Sequence, residues 1–485
     1  MTCCLTVGFS DILDGMTNFV RFLNIFSVRN FTYVYLAFLC FYMFILGILH
    51  CSCIVLDFLK PTERASGIST TIAPKKVITT MSANKSLTGT SYLRASSLRS
   101  FGLFCSTVVT ALAALTAVAP AANAITNNFA TLVNFNSSTG DTPFYGQLVL
   151  DSSGNIYGTT SQGPGSNFGT IFEIPANTNT LNTLAVFNSK ETTGSQPNAS
   201  LLLDNSGNIY GTSWSGGIGN SGTIFKVAPG TGTINTLATF DSSTTGWEPN
   251  YGMVADSSGN LYGTTEAGGA DSYGTVFKFN PTTGAITTLA VFNGANGSYP
   301  NGGLSIDRNG NLYGTTYSGG ANNDGTVFEI AAGTSTLTTI VTFDGTNGAN
   351  PQAGVTIDGN GYLYGTTIHG GTNNVGTVFE ISGNGFYTVA NFNGANGNRP
   401  TGNLQVKGDG CIFGVTSGGG AYSKGTVFEI IPGSGTITTL VSFDGTNGEC
   451  PIGGVTLGQG SMIYGTTSMG GAYNQGTVWE IYQVF

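Results

Sequence analysis

The run Gly310-Asn-Leu-Tyr-Gly-Thr-Thr-Tyr-Ser-Gly-Gly-Ala-Asn-Asn-Asp-Gly-Thr-Val-Phe-Glu-Ile330 places two short β-branched and aromatic segments around a glycine-rich turn. Such segments read as strands, and Gly-Gly with Asn marks the loop between them. The tetrapeptide beginning at Tyr313 recurs at Tyr157, Tyr210, Tyr262, Tyr364, Phe413 and Tyr464, with successive spacings of 53, 52, 51, 51, 49 and 51. A period near 50 with several strand signals per unit belongs to propellers rather than to helical solenoids.

Working outward, each unit predicts four strands. Strand a is a short apolar run such as Gln147-Leu-Val-Leu150, closed by an Asp-led turn at Asp151, Asp204, Asp256, Asp307 and Asp358. Asp and Asn side chains bond their own backbone two residues on, so this is a tight hairpin. Strand b is the Tyr-Gly-Thr-Thr run and strand c the Gly-Thr-Val-Phe-Glu-Ile run. Strand c carries an aromatic in every copy, from Phe172 to Trp479, and its charged position, which we place near an outer rim, is Lys226, Lys278 or otherwise Glu. Strand d ends on Phe187, Phe240, Phe292, Phe343, Phe392 and Phe443. A lone strand d opens the array at Phe129–Phe135, and the last unit ends after its strand c at Ile481. Pairing the two removes both exposed sheet edges. The fold class is therefore all-β: a seven-bladed β-propeller of four antiparallel strands per blade, closed by its N-terminal strand. Blades packed face to face bury both sides of each sheet, which accounts for the scarcity of charge, 8% of the chain.

At these residues the chain resembles the Gloeo/Verruco repeat family, also described as choice-of-anchor tandem repeat GloVer-containing proteins. The shared core is Gly-Asn-Leu-Tyr-Gly-Thr-Thr, Gly-Gly and Gly-Thr-Val-Phe-Glu-Ile, recurring over residues 146–481; blade six departs most, at Lys407-Gly-Asp-Gly-Cys-Ile-Phe-Gly-Val-Thr416. The resemblance implies an exported bacterial protein. Relatives often carry a C-terminal sorting segment; this sequence runs out at Phe485 directly after the last blade, so we do not expect anchoring by that route. The family supplies no established activity and no catalytic residues.

Residues 81–124 read as a secretory signal peptide: basic Lys85, Arg94 and Arg99, an apolar run from Phe101, and Ala122-Asn-Ala124 as the cleavage pattern. Residues 31–49 carry no charge and are long enough to span a bilayer. A spanning segment ahead of a signal peptide is an odd order, so residues 1–80 are read as an over-extended start with Met81 as initiator. The alternative is a membrane-inserted segment, and membrane association is expected only through such an uncleaved N-terminus. Beyond residue 124 lie seven basic and 21 acidic residues, a net charge of −14 that repels phosphate backbones and sets nucleic acid aside. Only Cys411 and Cys450 remain there, on opposite faces of the expected ring, so free thiols are predicted.

The chemistry available is sparse. His369 is the one histidine of the repeat region, which leaves no Ser-His-Asp triad or His-based metal site in view. No cofactor is expected. The turns at Asp344 and Asp444, and the Asn-rich turns at Asn293 and Asn393, offer oxygens to calcium, but turn chemistry explains them without a metal. In standard propeller topology the d–a and b–c connections share the top face, so Glu248 and Glu266 are expected to meet there, where paired carboxylates suit acid–base work on a glycan. The same loops hold Trp214, Trp247, Tyr251, Tyr273, Tyr299, Tyr317, Tyr422 and Tyr473 among Gly, Asn and Ser. Aromatic faces beside amides suit sugar or peptide recognition. The binding candidates are thus Trp214, Trp247, Glu248, Tyr251, Glu266, Tyr299, Tyr317 and His369, with no catalytic residue. The expectation is a secreted or envelope-located, monomeric, non-catalytic propeller that binds a glycan or protein. The alternatives are an extracellular polysaccharide lyase or hydrolase, and a purely structural envelope protein.

Overall fold

A computed structural model describes residues 126–165 and 168–484; the segment assignments made for residues 1–124 lie outside them. The described chain forms seven four-stranded antiparallel sheets. Blade four is representative: strand a at Ser305–Ile306, b at Leu312–Thr316, c at Thr326–Ile330 and d at Leu337–Thr342. In blade seven the outer strand is Thr126–Asn134, paired antiparallel with Thr477–Val484 across eight registered positions. The ring closes as expected.

The core lies between blades. Each strand-d Phe sets its ring against the strand-c aromatic of the next blade, with centroids 5.0 Å apart for Phe240 and Phe277 and 5.1 Å for Phe292 and Phe328. Phe135 of the N-terminal strand meets Phe172 of blade one at 5.2 Å, and Phe443 meets Trp479 of blade seven at 5.9 Å. The aromatic series therefore passes through the closure without a gap. Edge-to-face pairs of this kind add about 0.5–1.5 kcal/mol each beyond the area they bury.

The repeat consensus follows from this packing. A Cβ on Gly314 would lie 2.6 Å from Phe328 Cζ, so the Gly of Tyr-Gly-Thr-Thr makes room for the strand-c ring. The second Thr bonds the Thr that opens strand c, as between Thr316 and Thr326 at 2.8 Å, both fully buried. Buried hydroxyls in mutual hydrogen bonds avoid the penalty of unsatisfied polar groups. The charged position of strand c faces strand b near the a–b turn: the Tyr157 hydroxyl donates to Glu173 or Asp151, each at 3.1 Å, and Lys226 and Lys278 instead cover the rings of Tyr210 and Tyr262.

Candidate functional site

The d–a and b–c connections do share one face. They are tied by backbone bridges such as Trp247 to Ala267, Ser298 to Ser318 and Ala349 to His369. Immediately after this bridge every blade carries the same dipeptide, X-Pro, at Thr142, Gln196, Glu248, Tyr299, Asn350, Arg399 and Cys450. All seven X residues are left-handed, with φ between 52° and 60°. Each amide donates to the preceding blade, as Glu248 does to the Ser221 carbonyl at 3.2 Å and Arg399 to that of Val375 at 3.1 Å. The following proline seats on a strand-c glycine of that blade: a Cβ on Gly222 would lie 2.6 Å from Pro249 Cδ. The backbone is thus built the same way seven times, yet it displays seven different side chains around the top mouth.

The b–c loop supplies a contrast within the same molecule. Its own left-handed position is Asn220, Ser272, Asn323, Asn374, Ser423 and Asn474, residues that suit that conformation or turn locally. Four of these Asn side chains accept a loop amide, as Asn323 does from Gly319 at 3.0 Å. There the backbone selects the residue; at X-Pro it does not.

Glu248 and Glu266 meet as predicted: the Glu266 amide donates to the Glu248 carbonyl at 3.0 Å. Burial raises the Glu248 carboxyl above its ordinary range, with the Glu266 charge adding to it. Burial likewise raises Glu266, opposed by the Asn250 amide, which donates to it at 3.3 Å. Asn198 donates in turn to Asn250 at 3.1 Å, while the buried Asn198 Oδ1 has no partner.

The aromatic candidates divide. Trp247 and Tyr299 are exposed at 39% and 41%, and the Tyr299 ring meets Tyr273 edge-on at 6.3 Å. Trp214, Tyr317 and His369 are half-buried. Burial lowers His369, and the nearby Arg399 charge lowers it further, so its imidazole is neutral at pH 7. Tyr251 is not an exposed loop aromatic. It is 9% exposed and packs against Tyr145 in a tilted arrangement with centroids 5.4 Å apart, at the axis rather than on the rim. The cause is the tight approach of the innermost strands: a Cβ on Gly354 would lie 2.1 Å from the Gly303 carbonyl oxygen. The axis consequently encloses only about 200 Å³, with Tyr145, Tyr251 and Gln352 in its wall.

Residues not foreseen from the sequence complete the mouth. Gln352 donates across the ring to the Tyr145 hydroxyl at 3.2 Å. A second cavity of about 540 Å³ opens beside them, bounded by Thr142, Tyr145, Gln352, Arg399, Ser417 and Cys450. Tyr145 senses both sides: burial and the Glu266 charge raise its hydroxyl while Arg399 lowers it. Cys411 and Cys450 are both free thiols. The calcium candidates are occupied by their own turns, Asp344 accepting from the Thr346 and Asn347 amides at 2.9 Å and Asp444 from those of Thr446 and Asn447. Among the described residues no group of three or more His, Cys, Asp or Glu is arranged to hold a metal ion.

Among solved structures, a gluconolactonase from Xanthomonas campestris is 14% identical, matching 57% of this chain and 83% of its own at a TM-score of 0.34. A candidate 6-phosphogluconolactonase from Bacteroides uniformis is 17% identical over 60% of this chain and 83% of its own, at 0.40. The tricorn protease is 12% identical over 67% of this chain and 27% of its own, at 0.36. At these scores the likeness bears on neither substrate nor chemistry. No curated protein matches the chain. The Gloeobacter/Verrucomicrobia repeat model matches residues 121–307 and 291–479, nearly the whole propeller, and the chain belongs to that family.

Proposed function

We propose that the protein is an exported, non-catalytic propeller that binds a glycan or protein ligand on its top face. The observation that carries this reading is the X-Pro ring: seven backbones of like φ and like hydrogen bonding, all held left-handed, present Thr, Gln, Glu, Tyr, Asn, Arg and Cys. Backbone strain retained at a surface where side chains differ is a mark of recognition rather than of folding. Exposed Trp247 and Tyr299 add aromatic area beside amide and carboxylate groups. A glycan and peptide array probed with residues 125–485 tests it. Ligands lost on Trp247→Ala or Tyr299→Ala are the expected result; an array without signal favours a structural envelope role.

The Glu248–Glu266 pair supports a second reading, cleavage of a bound polysaccharide, because burial keeps both carboxyls above their usual range. Incubation with extracellular glycans, with Glu248→Gln as control, distinguishes it: product formation abolished by that substitution favours an enzyme.

A further inference from the structure

The 540 Å³ cavity beside the axis falls within the roughly 300–1,000 Å³ of small-ligand sites. Its wall combines hydroxyl and amide groups, from Thr142, Tyr145, Gln352 and Ser417, with apolar Phe144, Ile452 and Met469, and it holds one guanidinium, Arg399. Three features single out that guanidinium. No carboxylate among the described residues pairs with it, whereas nearby Lys424 is bound to Glu449. It is exposed and lies within a strand, left-handed though its own backbone is, because strand a of blade six begins at Asn398 and runs to Val406, far longer than the two-residue strands a of blades one to five. Its neighbours do not compete: burial holds His369 unprotonated and the Cys450 thiol protonated at neutral pH.

We propose that this cavity takes a carboxylated sugar, a uronate unit of a glycan, with Arg399 holding the carboxylate and the surrounding hydroxyls and amides holding the ring. This rests on the binding reading above and names its ligand class. A planar guanidinium matches a carboxylate in two parallel hydrogen bonds. A propeller that carries a net −14 beyond residue 124 would otherwise repel an anion, so an unpaired arginine at the mouth is the feature that admits one. Across the mouth, Glu248 and Glu266 disfavour a second acidic unit, which orients the ligand with its neutral sugar toward blade three. A peptide is the weaker fit: the inner strands enclose the axis and offer no open sheet edge for an added strand.

The full-length protein is titrated calorimetrically with cellobiouronic acid and with cellobiose. Arg399→Gln is expected to fold, since Gln196 already occupies the equivalent left-handed position. The acid should bind the parent more tightly than cellobiose does. Arg399→Gln should weaken the acid by about tenfold or more, the scale of a lost charged hydrogen-bonded pair, and leave cellobiose unchanged. Arg399→Lys, which keeps charge without the fork, should fall between. Equal binding of the acid by parent and Arg399→Gln, no preference for the acid, or no binding of either sugar overturns the proposal. Array ligands that depend on Tyr299 but not on Arg399 would leave the top-face reading standing while removing this one.

Discussion

Closure by the N-terminal strand makes a quantitative prediction. Phe135 and Phe240 occupy the same repeat position, one on the closing strand and one within the continuous chain. They are 0% and 1% exposed, meet their partner rings at 5.2 and 5.0 Å, and donate their amides at 3.0 Å to the equivalent glycines, Gly476 and Gly222. Truncation of a buried Phe to Ala removes transfer free energy and leaves a cavity, about 3–5 kcal/mol together. If blade seven is held as firmly as an internal blade, Phe135→Ala and Phe240→Ala should lower stability by equal amounts within about 1 kcal/mol, despite the long loop that closure spans. Urea unfolding at 25 °C, followed by far-UV circular dichroism, measures both. A Phe135→Ala midpoint near the parent's, alongside a large loss for Phe240→Ala, would mean the terminal strand is frayed in solution and would refute a closed ring.

Gly314→Ala should cost about 1–3 kcal/mol by overpacking against Phe328, read as a lower urea midpoint; a neutral result would show that the ring can shift aside. Glu266→Gln should be more stable than the parent at pH 7. Burial raises the folded carboxyl above its unfolded value near 4.5, so ionisation at neutral pH opposes folding, and that opposition disappears as pH falls below 4.5. The gain should therefore vanish by pH 4, and a gain independent of pH would locate its cause elsewhere. Burial, with the charge of Asp409, pushes the Cys411 thiol to about 11. At pH 8 its native labelling by a thiol reagent should lag the urea-unfolded chain by about a hundredfold, and equal rates would contradict the burial.

The blades were legible in the sequence because their constraints are local. Tyr-Gly-Thr-Thr names its own contacts: the Gly yields to the strand-c ring, the second Thr bonds the strand-c Thr, and spacing alone orders the units. The top face was legible only in topology. Glu248 and Glu266 meet because d–a and b–c loops meet. Tyr251 was misread as exposed because its burial depends on how closely seven inner strands converge, which no single repeat reveals. Tyr145 meets Gln352 and Arg399 for the same reason, since the ring brings it to them across more than 200 residues of sequence. A signal for the site was nonetheless present, as seven X-Pro dipeptides with no two X alike.

That signal has an energetic meaning. A non-glycine residue held left-handed costs about 1 kcal/mol or more, least for Asn. Thr142 is β-branched, the poorest choice for such a backbone, and Tyr299, Arg399 and Gln196 have no local hydrogen-bonding habit that would favour it. Yet only Asn350 among the seven is a residue this conformation prefers, whereas four of the six b–c loop positions are Asn. Turn comfort alone would have converged on Asn or Gly at both places, since either relieves strain without disturbing the proline contact. The chain holds the comfortable residue where the backbone matters and departs from it where the side chain faces the mouth. Stability has been given up at six of the seven positions in favour of six different groups, and that departure is the ground on which the proposed binding face rests.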